Sequence, residues 1–240
     1  MIIKIMLAVA TAAALGGGGV LAVDAQHQAH DVMLAYDQTA QYHPERIVIG
    51  IDLSRSNPLI ADPDFAAKVA ERVGGRIRSL GFASEVHVRT FGNYDATSNN
   101  FHYDVQLSVR NRPEIVASEV EKLIAGTPQL VEQRKWRAQG HTNILAFMDN
   151  VSNSLGCSGM PTTIVLASDG IEDSEYARLE HLGSHLPAPE GKPFAGCAEL
   201  QILGLGVGTG SPSETVRLRG EWARWSHAAG FARFEGLNDW

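Results

Sequence analysis

The sequence predicts an α/β fold in which helices cover both faces of a doubly wound, mostly parallel sheet. Residues 46–52 form a short β-branched run that is apolar on both faces, as expected for an inner strand of a parallel sheet. Along the rest of the chain, strand patterns alternate with helix patterns, and that alternation is typical of a doubly wound sheet. The 240 residues, 44% of them hydrophobic, suffice for one well-packed domain.

Four helices are predicted from apolar stripes with helical spacing. In the first, over residues 62–80, Phe65, Val69, Val73 and Ile77 lie on one face. The other three are expected over residues 113–125, 142–155 and 213–229. Ile115 is expected to face inward from the second helix.

The remaining strands are predicted from alternating or continuous apolar runs bounded by turn residues. They are expected at residues 85–91, 103–109, 162–168, about 199–206 and 231–234. Within the 103–109 strand, Val109 is expected on the same face as Leu107.

The N-terminus reads as a targeting segment. Lys4 precedes an apolar run over residues 5–15, and Val23 and Ala25 offer small residues for a cut after position 25. We therefore expect a signal peptide over 1–25 or, alternatively, an uncleaved anchor that would be the chain's only link to a membrane. Residues 26–43 are a polar lead-in. Both alternatives place the domain outside the cytoplasm, in the periplasm or secreted, and membrane-anchored if the segment is retained.

The charge of the chain argues against nucleic acid as a partner. The net charge is −7 and the isoelectric point is near 5.7. An acidic protein has no electrostatic attraction for a phosphate backbone, and that attraction dominates nucleic-acid binding.

Three oxygen donors follow the first strand in one tight loop. Asp52 ends the strand, and Ser54 and Ser56 come at the next alternate positions. The carboxyl end of a strand is where open α/β sheets place their ligands. Carboxylate and hydroxyl oxygens suit Mg²⁺ or Mn²⁺ better than a soft metal.

This Asp-x-Ser-x-Ser stretch resembles the metal-ion-dependent adhesion site of von Willebrand factor type A domains. Thr142, after Gly140 and His141, matches the family's threonine, and Asp169, before Gly170, matches its second aspartate. The resemblance covers residues 44–236 and leaves 237–240 as a C-terminal tail. It implies a mostly parallel sheet in which the strand near residues 103–109 is a short antiparallel edge strand.

The resemblance also implies how the site would work. The two serines would bind the cation directly, Asp52 directly or through water, Thr142 in the ligand-competent state, and Asp169 through water. An open coordination position would then accept an Asp or Glu side chain of a protein partner. Arg55 and His141 are the neighbours that could contact this ligand. Singly, Asp52 could instead cap the following segment, Ser54 and Ser56 could satisfy loop amides, and Asp169 could initiate a turn before Gly170.

The two cysteines are consistent with export. Cys157 and Cys197 precede strands that are parallel neighbours in the family's sheet, so the resemblance places both at the edge opposite the metal site. A disulfide between them is expected, with two separate buried thiols as the alternative.

Catalytic signatures are weak, so we expect a protein that is not an enzyme. The glycines of residues 204–210 lack the spacing of a dinucleotide loop, and the chain contains no Gly-x-Ser-x-Gly elbow. The first hypothesis is an exported, metal-dependent binding module. The second is a metal-independent structural subunit of an envelope or secretion complex, and the third is a metal-assisted hydrolase.

Overall fold

Six strands build the sheet of this protein in a computed structural model that describes residues 43–93, 101–181 and 183–240. The predicted signal segment 1–25 and nearly all of the lead-in lie outside these residues. The strands are β1 (Arg46–Asp52), β2 (Glu85–Phe91), β3 (His102–Gln106), β4 (Thr162–Ala167), β5 (Glu199–Leu203) and β6 (Arg233–Leu237). Their order across the sheet is β3-β2-β1-β4-β5-β6.

The sheet is parallel except at one edge. β2 and β3 pair antiparallel, and every other neighbouring pair is parallel. The prediction of an α/β fold with a mostly parallel sheet and one antiparallel edge strand is therefore confirmed. The predicted end of the edge strand is wrong, because the chain turns away from the sheet between Ser108 and Asn111. Val109 consequently lies in that turn and is 83% exposed.

The helices begin close to their predicted starts. The bounds are α1 (Pro63–Arg78), α2 (Pro113–Ala125), α3 (Thr127–Glu132), α4 (Ile144–Ser154) and α5 (Pro212–Ala229). Side-chain oxygens of Asp62, Asn143 and Ser211 cap α1, α4 and α5 respectively by accepting hydrogen bonds from amides of the first turn. The short α3 was not predicted. Ile115 is 43% exposed, so its predicted inward position is wrong, and Val116 faces the core instead.

The alternation of β1 divides the core between the two faces of the sheet. Ile47, Ile49 and Ile51 pack with α1 and α2, whereas Val48 packs on the opposite face with α4 and α5. Gly50 lies on that second face, where an added Cβ atom would come within 2.9 Å of the Phe147 ring. The absence of a side chain at position 50 thus permits α4 to approach the sheet closely.

The connection from β4 to β5, residues 168–198, crosses between parallel strands without a helix in its described part. Leu179, Leu186 and Phe194 of this crossover are buried in the core against α4 and α5. Two side chains of α5 hold it in place. Arg217 donates to the carbonyl oxygen of Leu179, and Glu221 accepts from the Leu186 amide at 3.0 Å.

A disulfide joins Cys157 to Cys197, with their Cα atoms 5.0 Å apart. Both cysteines precede their strands, so the bond lies at the amino edge of the sheet and confirms the predicted pairing.

The last residues of the chain pack against the domain. The predicted tail boundary after position 236 falls inside β6, and the ring centroids of Trp240 and Phe65 are 6.0 Å apart.

In the ranges given above, no helix combines the length and the apolarity needed to cross a bilayer.

Candidate functional site

Three chain segments meet at the carboxyl edge of the sheet. Backbone hydrogen bonds join the loop after β1 to residues 139–143, since the Gln139 carbonyl accepts from Arg55 N at 3.0 Å and the Gln139 amide donates to Leu53 O at 2.8 Å. Thr142 and Asp173 exchange a pair of backbone hydrogen bonds of 2.9 and 3.2 Å. The predicted donors of the loop after β1, of residues 139–143 and of the loop after β4 are therefore parts of one hydrogen-bonded frame.

Asp52 is buried, and both of its carboxylate oxygens are already hydrogen-bonded. Oδ1 accepts from the Ser54 amide at 2.8 Å, and Oδ2 accepts from the Ser168 hydroxyl at 2.7 Å. Ser168 follows Ala167, which pairs with Ile51, so the sheet register places the serine beside the aspartate. Sequence reasoning missed Ser168, although its position directly after β4 was the available signal.

Asn57 joins the ends of the two central strands. Its buried side-chain amide donates to the carbonyl oxygens of Asp52 at 2.7 Å and Ala167 at 3.0 Å. Its Oδ1 accepts from the Leu59 amide at 3.3 Å and caps a 3-10 turn, Pro58–Ile60, that delays the start of α1. Asn57 thus ties the end of the loop that carries Ser54 and Ser56 back to the ends of β1 and β4.

Asp169 is also buried, and one of its oxygens has no partner. Oδ1 accepts from the Ile171 amide at 2.9 Å, whereas Oδ2 is buried without a hydrogen bond. Burial raises the pKa of this carboxyl, and the Ile171 amide and the Ser56 hydroxyl partly oppose the rise.

The two aspartates influence one another electrostatically. Burial raises the pKa of Asp52 to about 7, and the negative charge of Asp169 adds to that rise, against the Ser168 hydrogen bond. No basic side chain of the described residues forms an ion pair with either carboxylate. The site therefore gathers negative charge that a proton or a cation would offset.

The two serines of the loop after β1 lie beside these carboxylates. The oxygens of Ser54 and Ser56 are 3.3 Å apart, with Ser54 buried and Ser56 exposed. Thr142 is buried and is held through its backbone against Asp173. The loops that carry the predicted donors therefore meet at the carboxyl edge of the sheet, and Thr142 is joined to them through its backbone.

A buried glutamate supports the Thr142 segment. Glu172 Oε2 accepts from the amides of Ile144 at 2.8 Å and Leu145 at 3.2 Å, capping α4 directly after Thr142. Burial raises the pKa of Glu172 to about 7, against hydrogen bonds from Ser174 and these amides. From the sequence, Glu172 was expected either to strengthen cation attraction or to be a loop charge. Its capping role was not predicted, because the capped amides lie 28 and 27 residues earlier in the chain.

The two candidate ligand contacts lie at the rim. The His141 side chain is 63% exposed, and its Nδ1 is 2.9 Å from Oδ2 of Asp173. Arg55 is exposed, and its contact to Gln139 is made by the backbone. Both side chains are accessible to a partner, and neither forms an ion pair with Asp52 or Asp169.

The donor set fits a hard divalent cation. In the described part of the chain, no group of three or more His, Cys, Asp or Glu residues is close enough to hold a metal. The candidate set instead combines two carboxylates with hydroxyls, all hard oxygens of the kind that Mg²⁺ and Mn²⁺ accept. The unpartnered, buried Oδ2 of Asp169 is the atom that such a cation or its bound water would satisfy.

Comparisons with known proteins give distant likenesses alone. No family profile and no curated protein matches the sequence. Among solved structures, the pilus adhesin SpaC from Lactobacillus rhamnosus GG is 14% identical with a TM-score of 0.46, over 83% of this chain and 29% of SpaC. The manganese-loaded Plasmodium vivax TRAP protein is 17% identical with a TM-score of 0.43, over 78% and 71% of the two chains.

Human Sec24c of the COPII coat is similar at 11% identity and a TM-score of 0.36, over 82% of this chain and 30% of Sec24c. This chain thus spans less than a third of the length of the SpaC structure. With TM-scores below 0.5, these likenesses carry no weight in assigning a family or a function.

Proposed function

We propose that this chain is an exported binding module that holds Mg²⁺ or Mn²⁺ and captures an acidic side chain of a protein partner. The proposed ligands are Asp52, Ser54, Ser56, Thr142 and Asp169. The observation that carries the proposal is the unpartnered carboxylate oxygen of Asp169, buried close enough to Asp52 to raise the pKa of that residue.

A bound cation would offset the energetic cost of burying two carboxylates at the carboxyl edge of the sheet. A buried carboxylate without a counter-charge costs several kcal/mol relative to water, and two neighbouring ones cost more. Asp52 and Asp169 are both at most 1% exposed. A divalent cation between them would offset this cost and complete the coordination of Oδ2 of Asp169.

The ligand set favours an anionic partner. Two carboxylates supply two negative charges, and the hydroxyls of Ser54, Ser56 and Thr142 add none. A cation that prefers six oxygen ligands keeps a position for water or a ligand in such a site. The carboxylate of an Asp or Glu side chain suits this open coordination position, because it is a hard oxygen donor and carries a negative charge.

Binding explains the site better than catalysis does. In the described residues, no histidine or lysine hydrogen-bonds to the hydroxyls of Ser54, Ser56 or Thr142. His141 is directed to Asp173 instead. Covalent hydrolysis usually requires a nucleophile with an adjacent base. Because these hydroxyls have no such base among the described residues, we propose that they act as metal ligands.

The disulfide supports export. Disulfides persist in oxidising compartments, such as the periplasm and the extracellular space. The bond between Cys157 and Cys197, together with the targeting segment predicted over 1–25, favours one of those locations. If the segment is retained, it would anchor the module to a membrane.

Calorimetric titration of Mg²⁺ and Mn²⁺ into metal-stripped protein tests the proposal. We expect saturable one-site binding that Asp52→Ala abolishes. Asp64→Ala is the matched control, because Asp64 is an exposed carboxylate in the first turn of α1 and is not a proposed ligand. Absence of binding to the unaltered protein would contradict the proposal and favour the metal-independent structural subunit.

A further inference from the structure

A second concave surface lies beside the candidate metal site, between α4 and the 168–198 crossover. It is a cleft of about 430 Å³. Leu145 and Trp225 are its buried apolar residues, and Tyr176 contributes a ring that is 47% exposed. Pro189 and two further prolines of the crossover, whose rings restrict the backbone, complete one wall.

The charged side chains that line this cleft are all acidic. Asp149 of α4 and Glu190 of the crossover line it, and no Lys, Arg or His does. Across the described residues, neither carboxylate takes part in an ion pair, whereas the neighbouring Glu221 is paired with Arg224 and His185. Lys192 belongs to the same loop but does not line the cleft. Burial and the charge of Glu190 raise the pKa of Asp149, in keeping with two like charges that share one concave surface.

We propose that this cleft docks an arginine-bearing segment of a protein partner. The aliphatic stem of an arginine would pack on Leu145 and the prolines, and its guanidinium would lie between Asp149 and Glu190. A planar guanidinium also stacks on an aromatic ring, which Tyr176 provides, and a lysine ammonium makes this contact less well. Charge complementarity selects the arginine, and the apolar wall selects a peptide over a free small cation.

This inference does not depend on the proposed metal site. None of the residues that line the cleft is a proposed ligand, so arginine docking is expected in metal-free protein and in Asp52→Ala. Failure of either proposal would therefore leave the other standing.

The test uses a short blocked peptide with two arginines flanked by prolines, titrated into ¹⁵N-labelled full-length protein in EDTA. We expect saturable shifts of the amides of residues 145–153 and 176 and of the non-proline residues within 187–193. The control peptide carries citrulline in place of arginine, which preserves shape and removes the charge. Equal binding of the citrulline peptide would overturn the proposal.

Variants of the two acidic residues test whether binding of the arginine peptide depends on their charge. Asp149→Asn combined with Glu190→Gln should weaken binding of the arginine peptide about tenfold, as expected for loss of two exposed charge contacts. Glu180→Gln is the matched control, because it removes one exposed charge from the same crossover outside the cleft. An equal loss in the control, or no loss in the double variant, would contradict the proposal.

Discussion

Ser168 donates its hydroxyl hydrogen to Oδ2 of Asp52 over 2.7 Å, and both residues are fully buried. The contact joins two residues 116 positions apart, at the ends of neighbouring parallel strands. Together with the Ser54 amide on Oδ1, it determines the orientation of the Asp52 carboxylate.

Replacing Ser168 with alanine should reduce both stability and metal affinity. A hydrogen bond to a carboxylate contributes about 1–3 kcal/mol, and loss of a side chain that orients a metal ligand typically weakens binding about tenfold or more. Urea unfolding and calorimetry measure the two effects. Ser154→Ala is the control, because that exposed hydroxyl bonds a helical carbonyl and should change little. Unchanged metal affinity in Ser168→Ala would contradict the orienting role.

Asn57→Ala should destabilise the fold by about 2–4 kcal/mol, because two buried strand-end carbonyls lose their donor. Urea unfolding is the measurement. The control is Asn111→Ala, because the Asn111 side chain also donates to a backbone carbonyl but in a solvent-exposed hydrogen bond. Equal effects of the two substitutions would show that closure of the loop after β1 does not depend on Asn57.

Stability should fall with rising pH because of Asp52. Its pKa is raised to about 7 in the folded protein, by burial first and by Asp169 second, from 3.8. The folded state therefore holds the proton more tightly than the unfolded state, and this contribution is lost as pH rises from about 4 through 7. In EDTA, Asp52→Asn should gain stability relative to the unaltered protein between pH 5 and pH 8, as measured by urea unfolding. A constant difference across that range would contradict the prediction.

Removing the disulfide should cost about 3–4 kcal/mol, because Cys157 and Cys197 close a loop of 40 residues. Urea unfolding of the Cys157→Ser, Cys197→Ser double variant measures this loss. Because the bond lies at the edge opposite Asp52, metal titration of the folded variant should be unchanged. Loss of metal binding without unfolding would show coupling between the two edges.

Gly50→Ala should destabilise the fold by about 1–3 kcal/mol, because the new Cβ would overlap Phe147 and Leu166. Thermal or urea unfolding measures the effect. Gly75→Ala is the matched control in α1, where an added Cβ meets nothing within 4 Å, and it should stabilise the helix by roughly 0.5–1 kcal/mol. Addition of Phe147→Leu to Gly50→Ala should recover part of the loss.

Local patterns predicted the elements well. The periodicity of Phe65, Val69, Val73 and Ile77 predicted α1, and all four side chains are buried. The strand at residues 85–91 has the predicted bounds. Two failures, at Val109 and Ile115, lie at element boundaries, since Val109 follows β3 and Ile115 is in the first turn of α2. Side-chain periodicity does not record where an element begins or ends.

Hydrophobic periodicity predicted the class of fold, the order of its elements and the position of Asp52 and Asp169 at strand ends, because each of these patterns lies within a short stretch of the chain. The roles of Ser168, Asn57 and Glu172 depend on the tertiary structure. Each of these residues has at least one partner that lies 27 to 116 residues away, so register and loop packing rather than any local pattern bring them together. The cleft between α4 and the crossover has the same origin, since Asp149 and Glu190 become neighbours only when the connection over residues 168–198 folds back over the sheet.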